Sequence, residues 1–199
     1  MKLYGTSTSP YVRRVRVVAG LVGAQLELVN TATEAGQNEL RTLTPIWKVP
    51  VLDANERVIF DSHVICDFLV RRFGNRNLRT DSGEARWREQ NLLTVIDGAQ
   101  DSAVNVYYLR DVDPSSTSYL QKQRDRVESA MNWLDKQLVG IWLSETPRLG
   151  LTEIALYSMI DWMRFRGAYD VTRHPMLTKF AAAHAAFEGF ATTAPVAAP

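Results

Sequence analysis

Apolar and polar positions change their period several times along the chain. KLYG (Lys2–Gly5) is a short apolar run that predicts a first strand. From Pro10 the period becomes helical. Val15, Val18, Ala19 and Val22 fall on one face, Arg13 and Arg16 on another, and Gly23 closes the helix. LELVN (Leu26–Asn30) alternates as a second strand. The polar stretch TEAGQNELRTL then predicts a short, loosely held helix. KVPVLDANERVIFDS reads as a hairpin, with VPVLD turning at Ala54–Glu56 into RVIF. A third helix starts at Ser62, with Val64, Ile65, Phe68 and Leu69 on its apolar side. The order strand, helix, strand, helix, strand, strand, helix implies a parallel unit followed by an antiparallel hairpin. The expected result is a mixed four-stranded sheet with helices on its faces.

After Gly74 only helical periods remain. NRNLRTDSGEA is polar and reads as a linker, so the expected domains are 1–76, a linker at 77–84, and an all-helical bundle over 85–199. A long helix runs from Glu84 to about Arg110, and a break containing Pro114 spans Asp111–Ser116. A second helix from Ser118 to Leu138 turns Leu120, Val127, Met131 and Leu134 inward. Thr152–Arg166, with EIALYSMIDWM, is apolar on all sides and is expected to be the central helix. Pro175–Phe187 makes the last helix, and TTAPVAAP is expected to fray. The fold class is α/β plus all-α.

Composition narrows the function classes. A formal net charge of +1 with scattered arginines gives no basic field for nucleic acid or an acidic membrane. No apolar stretch is long enough to span a bilayer, and Met1 leads straight into the first strand, so a cytoplasmic protein is expected. The single cysteine, Cys66, sits in an apolar run and has no partner for a disulfide or a metal cluster. His63, His174 and His184 lack metal-ligand spacing, so no metal is expected.

Three short stretches carry chemistry. In TSTSPYVRRVR, Ser9 before Pro10 is a favoured helix start, with serine at the N-cap and proline in the first turn. In DSHVICDFL, Asp61 and Ser62 stand at another helix start, where free N–H groups and the helix dipole cap the helix or hold an anion. KVPVL opens the hairpin with Val49–Pro50. In this order, the three resemble the motifs of a cytosolic glutathione transferase, a thioredoxin-like domain joined to a helical one, and the resemblance covers nearly the whole chain.

The resemblance implies a role for each stretch. A cis Val49–Pro50 peptide would turn the backbone of Val49 outward to pair with the cysteinyl unit of glutathione as an added strand. Ser62 would take the γ-glutamyl carboxylate, Asp61 would sit near the ammonium, and Lys48 would reach the glycyl carboxylate. Ser9 stands where other thioredoxin-like proteins carry cysteine. Its hydroxyl would donate to the sulfur, while Thr8 and Ser7 are rivals for that role and Tyr4 is a weaker one. A thiol with a pKa of about 8.5 is only a few per cent thiolate at pH 7. Lowering that value by about two units takes about 2.7 kcal/mol. Thr8, Tyr107, Tyr108 and Trp162 are candidates to line the cavity for a small apolar electrophile, or else the three aromatics are ordinary core or dimer-surface residues.

The sequence departs from the family at several positions. Trp47 stands where a small residue such as glycine is usual. Gly150-Leu151-Thr152-Glu153 replaces a Ser/Thr-x-x-Asp cap, yet Gly can cap and Glu suits the third position. Arg13, Arg14 and Arg16 either meet acidic residues of the helical domain or, for at least two of them, form a solvated basic face. The function expected is a serine-type glutathione transferase, with glutathione as co-substrate and a homodimer as the assembly. The alternatives are a glutathione-dependent isomerase or peroxidase, and a catalytically silent binding or regulatory protein of the same fold.

Overall fold

The computed structural model describes residues 1–80, 82–111 and 117–196, and side chains from 118 onward in the last of these. The expected break around Pro114 lies largely outside the described residues. The chain divides into two compact units, 1–79 with 186–199, and 80–185.

The first unit has a four-stranded sheet in the order β2-β1-β3-β4, built from β1 (Lys2–Gly5), β2 (Glu27–Asn30), β3 (Val51–Asp53) and β4 (Val58–Ile59). β1 pairs in parallel with β2 and antiparallel with β3, placing Leu3 opposite both Leu28 and Leu52. The hairpin turns through Asn55, whose φ of 68° lies in the left-handed region that Asn tolerates. The sheet is therefore the mixed one expected. β2 differs in detail. It does not alternate, because as an edge strand it leaves all its residues at least partly exposed.

Three helices of this unit are α1 (Pro10–Val22), α2 (Glu34–Leu43) and α3 (Ser62–Phe73). α1 ends at Gly23 with φ 74°, whose N–H returns to the last turn. It packs on α3, and Val12, Val15, Val18 and Val22 are buried. Gly5 permits the close approach of β1 to α1, because a Cβ there would collide with the Val12 side chain. α2 is short and buries only Gly36 and Leu40, as its polar sequence implied. In α3, Ile65, Cys66 and Leu69 face the core, while Val64 turns to solvent.

The second unit contains α4 (Gly83–Leu109), α5 (Thr117–Asp135), α6 (Leu151–Arg166) and α7 (Pro175–His184). α4 packs on both α5 and α6. Eleven of the 16 residues of α6 are buried, so it is the central helix of this unit. Its start is held by Glu153, which is fully buried. One carboxylate oxygen accepts from Gly150 N–H at 2.9 Å and from the Thr152 hydroxyl at 3.0 Å, and the other from Leu143 N–H at 3.1 Å. The altered cap thus survives as the glutamate half of a capping box.

The chain end departs from expectation. α8 (Glu188–Ala191) packs on α1 of the first unit, and Phe190 and Thr193 are buried. What reads as a fraying tail is a docked segment through its first residues. No described helix is long and apolar enough to cross a membrane.

Candidate functional site

The loop before α1 carries the hydroxyl cluster. Ser9 caps the helix, its Oγ accepting from Val12 N–H at 3.3 Å. Its backbone N–H donates to the Thr6 carbonyl at 3.2 Å, closing a tight turn. The Thr6 and Thr8 hydroxyls lie 3.4 Å apart. The Ser7 hydroxyl donates to the Val196 carbonyl at 3.5 Å, so its proton is directed to the chain end. Ser9 uses a lone pair in capping and keeps its proton for another acceptor. Tyr4 is turned elsewhere. Its ring is buried and its hydroxyl donates to Glu39 of α2 at 3.0 Å. Burial first, and the Glu39 contact second, raise its pKa.

The start of α3 is the most strongly built part of the site. Asp61 is the N-cap, its Oδ1 accepting from His63 N–H at 2.8 Å and from the Ser62 hydroxyl at 3.3 Å. Asp61 is exposed and Ser62 is 1% exposed. Arg14, fully buried, comes across from α1, and its Nη1 donates to Ser62 Oγ at 3.5 Å and to His63 Nε2 at 3.2 Å. Its guanidinium also lies 5.3 Å from the centre of the Tyr11 ring. A helix N-terminus favours a nearby anion by about 0.3–1 kcal/mol, and by up to about 2 when partly buried. The guanidinium adds to the positive potential there.

The segment before β3 completes the unit. The Val49–Pro50 peptide is cis, as KVPVL implied, and so is Phe60–Asp61. Val49 packs beside the cluster of Tyr4, Leu40 and Val51, which fixes its backbone next to the sheet. Pro50 is buried and Lys48 exposed. Trp47 has φ 51°, a left-handed conformation that glycine adopts more readily than a residue with a side chain. Its ring is 60% exposed, and the Arg41 guanidinium lies 5.5 Å from its centre.

The three aromatic residues of the second unit do come together. Tyr107 packs edge-on against Tyr108 and Trp162, with centroids 5.0 and 5.7 Å away. Trp162 is 3% exposed and supports the cluster from below, whereas Tyr108 is mostly exposed. Arg110 and Arg166 both approach the Tyr107 ring, at 4.6 and 5.3 Å.

A solvated basic face is expected for at least two of the three arginines of α1, and the structure corrects this. Arg13 is 3% and Arg14 0% exposed, and Arg16 is half-buried. Arg13 meets the chain end, its Nη2 donating to the Phe190 carbonyl at 2.9 Å and its Nε to Thr193 Oγ1 at 3.3 Å. A signal for Arg14 was present. Arg14, Val18 and Val22 share one face at i, i+4 and i+8. No sequence signal pointed to α8. Among the described residues, no group of three His, Cys, Asp or Glu side chains could hold a metal.

Comparisons with known proteins agree with this geometry. Residues 3–77 match the glutathione S-transferase N-terminal domain. The chain is 29% identical to the uncharacterized GST-like protein YibF of Escherichia coli K12, covering 98% of each. A glutathione S-transferase from Methylobacillus flagellatus, solved with glutathione bound, superposes with a TM-score of 0.84 at 25% identity, over 98% of this chain and 99% of that one. A glutathione transferase family member from Pseudomonas fluorescens Pf-5, also with bound glutathione, gives 0.83 at 26% identity, over 98% and 99%. From its thioredoxin-like first unit to its mostly helical remainder, the chain has the fold of the glutathione transferases, and residues 3–77 match the N-terminal domain of that family.

Proposed function

We propose that the chain is a serine-type glutathione transferase that binds glutathione, stabilises its thiolate and conjugates it to a small electrophile with an apolar body. The observation that carries this reading is the start of α3, where the buried Ser62 hydroxyl meets the buried guanidinium of Arg14 at the helix N-terminus. That arrangement suits the γ-glutamyl carboxylate, and the exposed Asp61 suits its ammonium. The backbone of Val49 pairs with the cysteinyl unit, next to Pro50, and Lys48 reaches the glycyl carboxylate. Ser9 donates its proton to the sulfur, with Thr8 as the rival hydroxyl. Tyr107, Tyr108 and Trp162 form the wall for the second substrate on the helical unit. The enzyme works as a cytoplasmic homodimer and needs no metal.

The thiolate attacks the electrophilic carbon, a sulfur–carbon bond forms, and the leaving group departs or a proton is taken up from solvent. A glutathione-dependent isomerase shares the addition step and then expels glutathione. A maleylpyruvate isomerase shares this fold, with a TM-score of 0.79 at 21% identity. Product analysis separates the two outcomes, because only a transferase accumulates thioether.

Calorimetric titration with glutathione tests the binding reading. Saturable binding is expected, weakened about tenfold or more by Ser62→Ala, since one hydrogen bond to a charged group is worth about 1.5–3 kcal/mol. Failure to bind millimolar glutathione would favour the silent-scaffold alternative.

A further inference from the structure

The aromatic cluster of the helical unit contains a cation whose presence an apolar wall does not explain. Arg166 is the last residue of α6 and only partly exposed. Its Nη1 lies 3.5 Å from the Tyr107 hydroxyl, and its guanidinium stands 5.3 Å from the centre of the Tyr107 ring and 5.0 Å from that of Phe165. Its Nε is buried and has no hydrogen-bond partner, and the side chain makes no ion pair among the described residues. The end of a helix and two ring faces account for a tolerated positive charge. They do not account for a buried donor left without an acceptor, which native structures rarely keep without a reason.

A second arginine sharpens the point. Arg110 lies 4.6 Å from the centre of the same Tyr107 ring. Its own carboxylate partner is Asp111, an exposed pair with Arg110 Nε to Asp111 Oδ2 at 3.1 Å. Asp111 offsets one of the two charges, which leaves one net positive charge on this aromatic surface among the described residues. An anion placed there pairs with the guanidinium of the partly exposed Arg166, and the flat ring of Tyr107 offers stacking area for a planar body.

We propose that Arg166 binds the carboxylate of the second substrate, so that the preferred electrophile is a planar, unsaturated or aromatic acid rather than a wholly apolar compound. This rests on the glutathione transferase reading for its chemistry, but the anion site itself belongs to the helical unit alone. For a halonitrobenzoate the step balances simply. The thiolate sulfur bonds to the ring carbon, the carbon–fluorine bond breaks, fluoride leaves, and the thiol proton has gone to solvent.

The full-length protein is assayed with 4-fluoro-3-nitrobenzoate and with its methyl ester, which differ in the charge that Arg166 would read. Arg166→Met is expected to lower kcat/KM for the acid about tenfold, chiefly through KM, because a charge-assisted hydrogen bond is lost. The ester should stay within about twofold, and Arg166→Lys should recover part of the loss. Equal losses for acid and ester, or no loss for either, would assign Arg166 to helix stability and overturn the proposal. Binding of 3-nitrobenzoate, which has no leaving group, is measured by calorimetry without glutathione. If turnover is absent with both substrates but 3-nitrobenzoate binds and Arg166→Met weakens it, the transferase reading fails and the anion site stands. If wild-type protein and Arg166→Met bind 3-nitrobenzoate equally, or neither binds it, the anion site fails.

Discussion

Replacing Ser9 separates two roles that one hydroxyl can fill at once. As a cap, Ser9 accepts from Val12 N–H at 3.3 Å, longer than the usual 2.9–3.0 Å. The cap is therefore worth the lower part of the normal range, about 0.5–1 kcal/mol, and Ser9→Ala should lower Tm by only about 1–4 °C in a chain of this size. Ser9→Gly should lower it less, since glycine caps within a few tenths of a kcal/mol of serine. As a donor to the thiolate, Ser9 does something neither replacement can do. Loss of a hydrogen bond to a charged sulfur costs about 1.5–3 kcal/mol, which moves the thiol pKa up by about one to two units. The assay is the ultraviolet absorbance of bound glutathione titrated with pH, alongside thermal unfolding. Both variants should raise the thiol pKa equally, while only Ser9→Ala should show a clear loss of stability. A thiol pKa that stays in place in both variants would refute the donor role and pass it to Thr8.

Three further outcomes follow from particular contacts. Arg13→Met should cost about 2 kcal/mol by leaving the Phe190 carbonyl without its charged donor, and limited proteolysis should then cut within 186–196; an uncut, equally stable variant would contradict the docking of α8. Glu153→Ala should cost about 3 kcal/mol or more, because it strands two buried backbone N–H groups and a hydroxyl, with Glu153→Gln losing about half as much in urea unfolding. The third outcome concerns pH. Tyr169 donates to Glu128 at 2.8 Å, and burial, with Glu128 beside it, raises its pKa above the ordinary value of about 10. The folded state then holds that proton more tightly, so stability contributed by Tyr169 is present below pH 10 and lost as pH rises past it. Glu128 is shifted the opposite way, first by Tyr169 and then by Arg173, so its contribution is lost as pH falls below its ordinary value of 4.5. Tyr169→Phe should flatten the alkaline limb of a stability–pH profile and weaken the acid one; an unchanged alkaline limb would refute the assignment.

Much of the fold was legible because its elements carry their own signals. The 3.6-residue period marked α4 to α7, the turn at Asn55 marked the hairpin, and KVPVL marked a cis peptide through family resemblance. Elements fixed by partners distant in sequence were harder to read. β2 alternates in sequence but lies at a sheet edge, where alternation no longer maps onto burial. α8 has only four residues, too few to show a period, and its position is set by Arg13 some 177 residues earlier. The proposed site was read from residue types at helix starts, whereas Arg14 was not assigned to it. Arginine is rarely buried unless paired, and its acceptors here lie on α3.

Consecutive residues on a helix point about 100° apart, so Arg13 and Arg14 must address different neighbours. Arg14 reaches Ser62 and His63 at the start of α3, and Arg13 reaches the carbonyl of Phe190 and the hydroxyl of Thr193. Ser9 caps the same helix four residues before Arg13, whose N–H donates to the Ser9 carbonyl at 3.0 Å. α1 is therefore one rigid brace that sets the Ser9 hydroxyl, the start of α3 and the docked chain end together. A rotation of α1 that improved one contact would spoil the others, which favours a single arrangement of the site. The three positions should consequently separate in their effects. Substitution at Ser9 acts on thiol ionisation, at Arg14 on glutathione affinity, and at Arg13 on stability. If all three substitutions changed only stability, α1 would be a structural brace with no part in the site.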